Sequence, residues 1–444
     1  MVSVRRRSFI AIAIFSLGFA GVAFAQDVDP ELMTYINSVK AVDNHAHVFA
    51  PDVADDKEYD ALRCDPLPVT PGLFPAPFRF GADTQTTWKA LYGVAPATAE
   101  QADQKRAQML GKVRAAHGAN YYDWILDQAG VEMVLANRVA MTPGLKASRF
   151  RWVPFGDALL FPFDNKQLEN TPDRHELFKL EDELRDRYFA QVGVKAAPES
   201  LDEYVEKVVD GTLRRLKDGG GVALKFEAAY LRGLDFGRAT REEAEPVYRR
   251  GAGGTALKPT EYKILEDYLF HVVAVKSGEI GLVIHIHTGA GCGEYFDIAG
   301  SDPMLLDHTF NDESLRGTKF VMLHGGSPFE RHATAMILKP NVYVDFSVLG
   351  LEFSPSELAR ILRPWLESMP EHVLYGTDAG FFSSGMGWQE TTWLGTKKSR
   401  TALGIVLTAM VRERVISEAR AKEIAAGVLR ENAWKLYGFG KSSK

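Results

Sequence analysis

Short apolar runs recur along this chain, most of them separated by stretches whose apolar residues fall at helical spacing. Eight runs read as strands: 41–48, 131–139, 151–161, 222–229, 281–288, 319–324, 341–347 and 372–377. The third is the weakest, interrupted by Pro154 and Gly156. Helical pattern is expected over 98–128, over 174–217 as more than one helix, and over 259–277, 328–338, 355–368, 400–413 and 417–437. Alternation of strand and helix argues for a parallel α/β architecture. Eight strands is the number that closes a barrel, so the expected fold is a (β/α)8 TIM barrel with long insertions after strands 1 and 3. A doubly wound open sheet competes, but its glycine fingerprint after the first strand is missing.

Side-chain parity sharpens that expectation. In the fourth strand Val222, Leu224 and Phe226 share one face, and Ala223, Lys225 and Glu227 the other. In the fifth, Leu282, Ile284 and Ile286 oppose Val283, His285 and His287. The apolar faces suit a helix layer and the polar ones a barrel axis. Asp43, His45 and His47 also alternate in 41–48, which predicts one shared face and two imidazoles in one cavity.

The strand ends carry the chemistry. They are His45 and His47, Lys225, His285 and His287, His324, and Asp378 just past the eighth strand. A lone histidine on a strand is more often a hydrogen-bonded core residue than a ligand. Recurrence at the C-terminal ends of five strands, where barrel enzymes place their catalytic groups, favours a metal. Three nitrogen donors with a carboxylate suit a catalytic zinc site that keeps a position for water.

Composition narrows the setting. Among 444 residues, Arg5, Arg6 and Arg7 precede an apolar stretch, and Ala23-Phe24-Ala25 is a small-x-small cleavage signal before Gln26. Residues 1–25 are therefore expected to be a signal peptide, with a twin-arginine order in Arg6-Arg7-Ser8-Phe9-Ile10, and the protein to be periplasmic or secreted. Removing three arginines takes the formal charge from −6 to about −9, which argues against nucleic acid. Residues 26–444 are expected to be one barrel domain with a lid-like insertion at about 49–128. Cys64 lies in that insertion and Cys292 in the loop after strand 5, so a disulfide tying lid to barrel is expected. Trp88, Tyr92, Tyr121, Tyr122 and Trp124 are expected to pack the insertion's own core, with lining of a substrate pocket as the alternative.

The chain resembles the amidohydrolase-related family of the amidohydrolase superfamily, metal-dependent TIM-barrel hydrolases, lactonases and decarboxylases. The resemblance rests on Asp43-Asn44-His45-Ala46-His47, Leu224-Lys225 with Ala228-Ala229-Tyr230, and Ile286-His287-Thr288-Gly289. It continues in Leu323-His324-Gly325-Gly326, Tyr375-Gly376-Thr377-Asp378, Asn432-Ala433 and Leu436-Tyr437-Gly438. It implies a divalent metal, zinc before manganese, as one or two ions. His45, His47 and His287 would be ligands, Asp378 a ligand and proton shuttle, and His324 a second-metal ligand or substrate contact. Lys225 would be a carbamate bridging two metals, or else a salt-bridge partner of Glu227 or Asp378.

Tyr230, Arg232 and His285 are candidates for substrate contact. Two departures from the family fall in that region. Leu231 stands where relatives often place an arginine, with Arg232 one position on, and the run Ala290-Gly291-Cys292-Gly293-Glu294 lacks the usual early acid after Thr-Gly. The expected activity is metal-assisted hydrolysis of an amide or lactone in a small molecule. Non-oxidative decarboxylation and a non-catalytic exported binding protein are the alternatives, and a homodimer is the candidate assembly.

Overall fold

The computed structural model describes residues 28–49, 56–67, 79–380 and 385–440. The expected signal peptide lies outside them. The eight strands are β1 (Ala41–Ala46), β2 (Val131–Asn137), β3 (Phe150–Val153), β4 (Ala223–Phe226), β5 (Val283–His287), β6 (Phe320–Leu323), β7 (Val342–Asp345) and β8 (Val373–Leu374). All neighbours pair in parallel, as a three-stranded sheet β1-β2-β3 and a five-stranded sheet β4 to β8. The fold is thus parallel α/β.

Backbone bonds cross both seams between the sheets. At one, Val222 N–H donates to Trp152 O at 3.0 Å and Lys225 N–H to Pro154 O at 2.8 Å. At the other, Asn44 N–H donates to Tyr375 O at 2.9 Å and Asp378 N–H to His45 O at 2.7 Å. Isolated parallel bridges Phe155–Lys225 and Ala46–Ala379 mark the same seams.

The strand parity expected for β4 and β5 holds from Ala223 onward in β4 and throughout β5; Val222, expected beside Leu224 and Phe226, packs on the opposite cluster instead. Leu224, Phe226, Ile284, Ile286, Phe320 and Met322 join the large core beneath the helices. Ala223, Val283, Val321 and Leu323 instead join Val42, Met133, Leu135 and Val153 in a separate inner cluster, against which Trp434, Tyr437 and Phe439 pack. Two cores on opposite faces follow from the period of two in a strand.

Helix ends follow local chemistry. Ser354 caps the helix Pro355–Ser368 by accepting from Glu357 N–H, with proline at its first turn, where a missing N–H costs nothing. That helix buries Leu358, Ile361, Leu362, Trp365 and Leu366 on one side.

Some expectations were too short. The helix expected from 400 begins at Trp388. Its first turns carry Thr391, Thr392 and Thr396, which break the apolar period yet are buried. They can be buried because their hydroxyls bond inside the helix, Thr392 to Trp388 O and Thr396 to Thr392 O, both at 2.6 Å. The third strand stops before Pro154, and a 3-10 turn at Asp157–Leu159 takes up the rest. Helices Pro30–Ser38, Ala82–Tyr92 and Arg241–Ala252 were not anticipated.

The aromatic residues of the first insertion dock on helix Trp388–Arg412. Trp88 Nε1–H donates to Gly385 O at 2.7 Å and Tyr92 Oη–H to Glu390 at 2.6 Å, while Tyr122 packs on Trp388. Trp88, Tyr92 and Tyr122 thus pack against a segment outside the insertion, where a core of the insertion's own was expected. Among the described residues no helix is long and apolar enough to cross a membrane. The expected disulfide is present, joining Cys64 to Cys292 with Cα atoms 6.1 Å apart across 228 residues of sequence. Replacing both cysteines by serine should lower stability by about 2–4 kcal/mol, because the closed loop restricts the unfolded chain. Thermal melts with and without reductant check this; equal melting temperatures would show the tether to be energetically idle.

Candidate metal centre

β1 is not a regular strand. Its partners on β2 shift between Ala41 and Val42 and again between Asp43 and Ala46, as at a β-bulge. The single face expected for Asp43, His45 and His47 is therefore a misreading, since an irregularity breaks the period of two. Asp43 turns instead to the start of the eighth-strand loop, where its carboxylate accepts from Thr377 N–H at 2.8 Å and from the Thr377 hydroxyl. The imidazoles of His45 and His47 still converge, their ring centres 5.0 Å apart and nearly perpendicular.

Asp378 meets them from the other side of the seam. Its Oδ1 lies 3.0 Å from His45 Nε2 and 3.3 Å from His47 Nε2, and the three donor atoms are within 4.8 Å of one another. The His45–Asp378 contact lacks hydrogen-bond alignment, so Nε2 and Oδ1 are both buried without a hydrogen-bond partner. Polar atoms orphaned in pairs are uncommon unless something binds between them. The donor set, two imidazole nitrogens and a carboxylate, fits a divalent metal.

Asp378 and His324 both take positive φ, 54° and 63°. Such a backbone is uncommon for residues other than glycine and clusters at functional sites. His324 N–H donates to Asp345 at 2.9 Å, and its Nδ1 is 3.0 Å from the Ser347 hydroxyl and 3.9 Å from Asp378. The His324 ring is 5.0 Å from that of His45 and 4.6 Å from that of His287. His287 Nε2 faces Ala290 O at 3.2 Å, and Tyr230 packs on its ring at 4.7 Å.

The expected residues divide into two groups. His45, His47, His287, His324, Asp378 and Tyr230 come together, and buried Lys225 stands among them, 3.8 Å from Glu227. Lys225 bears electrostatically on all four of those histidines.

Arg232 does not join. Its guanidinium is held by Glu266 and Asp267, each at 2.7 Å, and lies over the Phe236 ring. Both arms of its fork are thus already used, so the substrate role expected for Arg232 does not fit. His285 precedes His287 by one inward position and faces Tyr437 Oη at 2.6 Å, on the inner-core side, so it is also set aside as a substrate contact.

Acids that the sequence reading gave no site role sit beside these groups. His47 Nδ1 is 3.5 Å from Asp60 and 3.3 Å from Tyr59 O. Asp60, Glu227 and His47 form a second set of convergent donor atoms. Behind it Asp157 accepts from Glu227 N–H at 2.8 Å, and Glu181 is wholly buried. On the far edge of His45, Asn137 contacts Nδ1 at 2.6 Å.

These surroundings set the charges. Burial holds His45 well below its ordinary value and His287 down at about 3, with Lys225 adding to both. Burial opposes the His47 cation too, but Asp60 and Asp378 on its two edges prevail and carry it up to about 9. Burial works against ionisation of Asp378, yet the histidines around it hold its carboxyl well below the usual range. A cation that takes His47 as a ligand must displace the proton on its ring. Apparent metal affinity of the metal-free protein should then rise about tenfold per pH unit as pH climbs towards 9, because protonated rings cannot ligate. Metal titrations at pH 6, 7 and 8 check the slope, and equal affinities would remove His47 from the ligand set.

Comparison with known proteins agrees with this chemistry. Residues 187–439 match the Amidohydrolase family, and the chain belongs to that family. Its superfamily binds divalent metals. The protein fluG of Emericella nidulans is 27% identical over 234 residues, 50% of this chain but 26% of that protein. The match thus spans about a quarter of the length of that relative.

Among solved structures, a Lactobacillus casei protein assigned by inference as a metal-dependent hydrolase is 17% identical, with a TM-score of 0.57 over 94% of this chain and 100% of its own. Glucuronate isomerase from Caulobacter crescentus is 13% identical, also at 0.57, covering 93% and 94%. Uronate isomerase from Thermotoga maritima is 15% identical at 0.53, covering 92% and 96%. At such identities these three speak for the fold alone.

Proposed function

We propose that the protein is a metal-dependent hydrolase whose centre is His45, His47 and Asp378, with His287 and His324 completing it. The observation that carries this is the meeting of orphaned His45 Nε2 and Asp378 Oδ1 with His47 Nε2 at one buried point. The two sheets are read as one closed (β/α)8 barrel, supported by the backbone bonds across both seams. Residues 26–444 are read as one domain and residues 1–25 as an export leader, supported by the arginine, apolar and Ala-x-Ala order of the sequence.

A divalent metal here, zinc being favoured by the nitrogen-rich donor set, would act as a Lewis acid and lower the pKa of a water to about 7. This chain's own residues do the rest. His45 is held neutral by burial, so its Nε2 can donate a lone pair once Nδ1 carries the ring proton. That tautomer needs Asn137 to present its oxygen, and Asn137 Oδ1 is at present without a partner. Asp378, ionised and 3.9 Å from His324, takes the proton of the attacking water and returns it to the leaving group. His324 stands where it can hydrogen-bond the oxygen on which negative charge builds. Tyr230 beside His287 borders the space left for substrate.

Lys225 is read as an ammonium ion matched by Glu227 rather than as a carbamate, because Asp157 also bears on it and a further anion would be repelled. The substrate class is a small molecule with an amide or lactone carbonyl.

Asp378→Asn should lower kcat on the wild-type substrate by about 10²–10⁴-fold, the contribution usual for a positioned proton carrier, while the melting curve stays cooperative. A panel of amides, lactones and carboxylic acids identifies that substrate. Carbon dioxide release without hydrolysis products would replace the reading with decarboxylation.

A further inference from the structure

The His47 ring has two edges, and each faces a separate set of donors. Nε2 looks to Asp378, while Nδ1 looks to Tyr59 O at 3.3 Å and to Asp60 at 3.5 Å. On the Nδ1 side the donor atoms of His47, Asp60 and Glu227 all lie within 4.8 Å of one another. Asp60 comes from the loop after β1, and Glu227 directly follows β4. That loop is pinned on both sides of Asp60. Before it, Arg138 grips Asp56 with two bonds of 2.9 Å; after it, Leu62 N–H donates to Glu227 Oε2 at 3.3 Å. The arrangement is built rather than a chance meeting of surface chains.

The ground behind these donors is short of positive charge. Glu181 is 0% exposed and neither of its carboxylate oxygens has a hydrogen-bond partner. Its foremost electrostatic neighbours are Asp157 and Glu227, so it faces into the same group. Asp157 Oδ1 and Asp60 Oδ1 are likewise buried and unpartnered. Against Asp60, Asp157, Glu181 and Glu227, Lys225 is the one lysine or arginine in ion-pair contact among the described residues, and it reaches Glu227. Buried acids are paired, coordinate a metal or keep their protons: burial holds Glu181 and Glu227 well above the usual carboxyl range and Asp157 up to about 7, so a cation arriving here displaces protons.

We propose that His47 Nδ1, Asp60 and Glu227 form a second divalent-cation site beside the first, with the buried carboxyls of Asp157 and Glu181 behind it. This rests on the reading of His45, His47 and Asp378 as the first site. One nitrogen and two carboxylates make the second site harder than the first, suited to manganese as well as zinc. Filling both sites would require His47 to give up both ring protons and Glu227 its carboxyl proton to solvent, leaving one imidazolate nitrogen for each ion.

The test is the metal stoichiometry of the full chain. Metal-free protein is dialysed against Mn²⁺, or in parallel Zn²⁺, and bound metal is counted by mass spectrometry, with electron paramagnetic resonance reading coupling between two Mn²⁺ ions. Wild type should hold two ions per chain with a coupled signal. The double variant Asp60→Asn, Glu227→Gln should hold one, uncoupled, and that retained ion shows the chain is folded. Lys225→Met should still hold two, because removing a positive charge can only favour cations here.

One ion in wild type, or two in the double variant, would overturn the second site and leave the first standing. Loss of an ion in Lys225→Met alone would overturn it in favour of a carbamate bridge. No ion in any form would overturn both sites.

Discussion

The seam between β8 and β1 is the constraint on which the site depends. Asp43 and Thr377, 334 residues apart in sequence, are joined by two hydrogen bonds, and Asp378 N–H donates to His45 O one residue further on. Those bonds bring a carboxylate from the end of the chain against imidazoles from its beginning. Asp43 is fully buried, and burial pushes its carboxyl up to about 7 against the hydrogen bonds from Thr377. The seam thus carries a polar group whose burial is costly and whose partners must all be in place. The positive φ at Asp378 is part of the same arrangement, aiming the carboxylate back across the seam.

Charge balance is the second theme. Imidazoles, one lysine and several carboxyl groups occupy a largely buried region, and no member is satisfied in isolation. His47 is the pivot because it alone lies between acids on both edges, Asp60 and Asp378. Lys225 and Glu227 leave the same strand end two residues apart, so they reach the region from one face. The loop after β1 supplies Asp60, and its described residues are fixed by Arg138, by Glu227 and by the Cys64–Cys292 bridge. Parts of the chain that looked like an appended insertion therefore belong to the electrostatics of the centre.

The strands and the histidine set were legible because both obey short rules. β4 and β5 alternate cleanly, and polar residues gather at the strand ends where parallel sheets place function. What was not legible depends on packing between distant segments. The irregularity in β1 has no local signature, so Asp43 read as a companion of His45 when it is a tie to Thr377. Glu181 read as one more charge in a charged helical stretch, and only the fold shows it to be buried against Asp157 and Glu227. Arg232 looked free for substrate because its partners, Glu266 and Asp267, lie over thirty residues later on another helix. The early turns of helix Trp388–Arg412 were hidden by threonines whose hydroxyls are satisfied within the helix.

The central claim is that His45, His47 and Asp378 hold one divalent ion. Crystals of the full chain grown with Zn²⁺, with diffraction recorded on both sides of the zinc absorption edge, test it most directly. The account requires an anomalous peak at bonding distance, about 2.0–2.2 Å, from Nε2 of both histidines and from an Asp378 oxygen. A zinc-saturated crystal with no peak between those three side chains would contradict it.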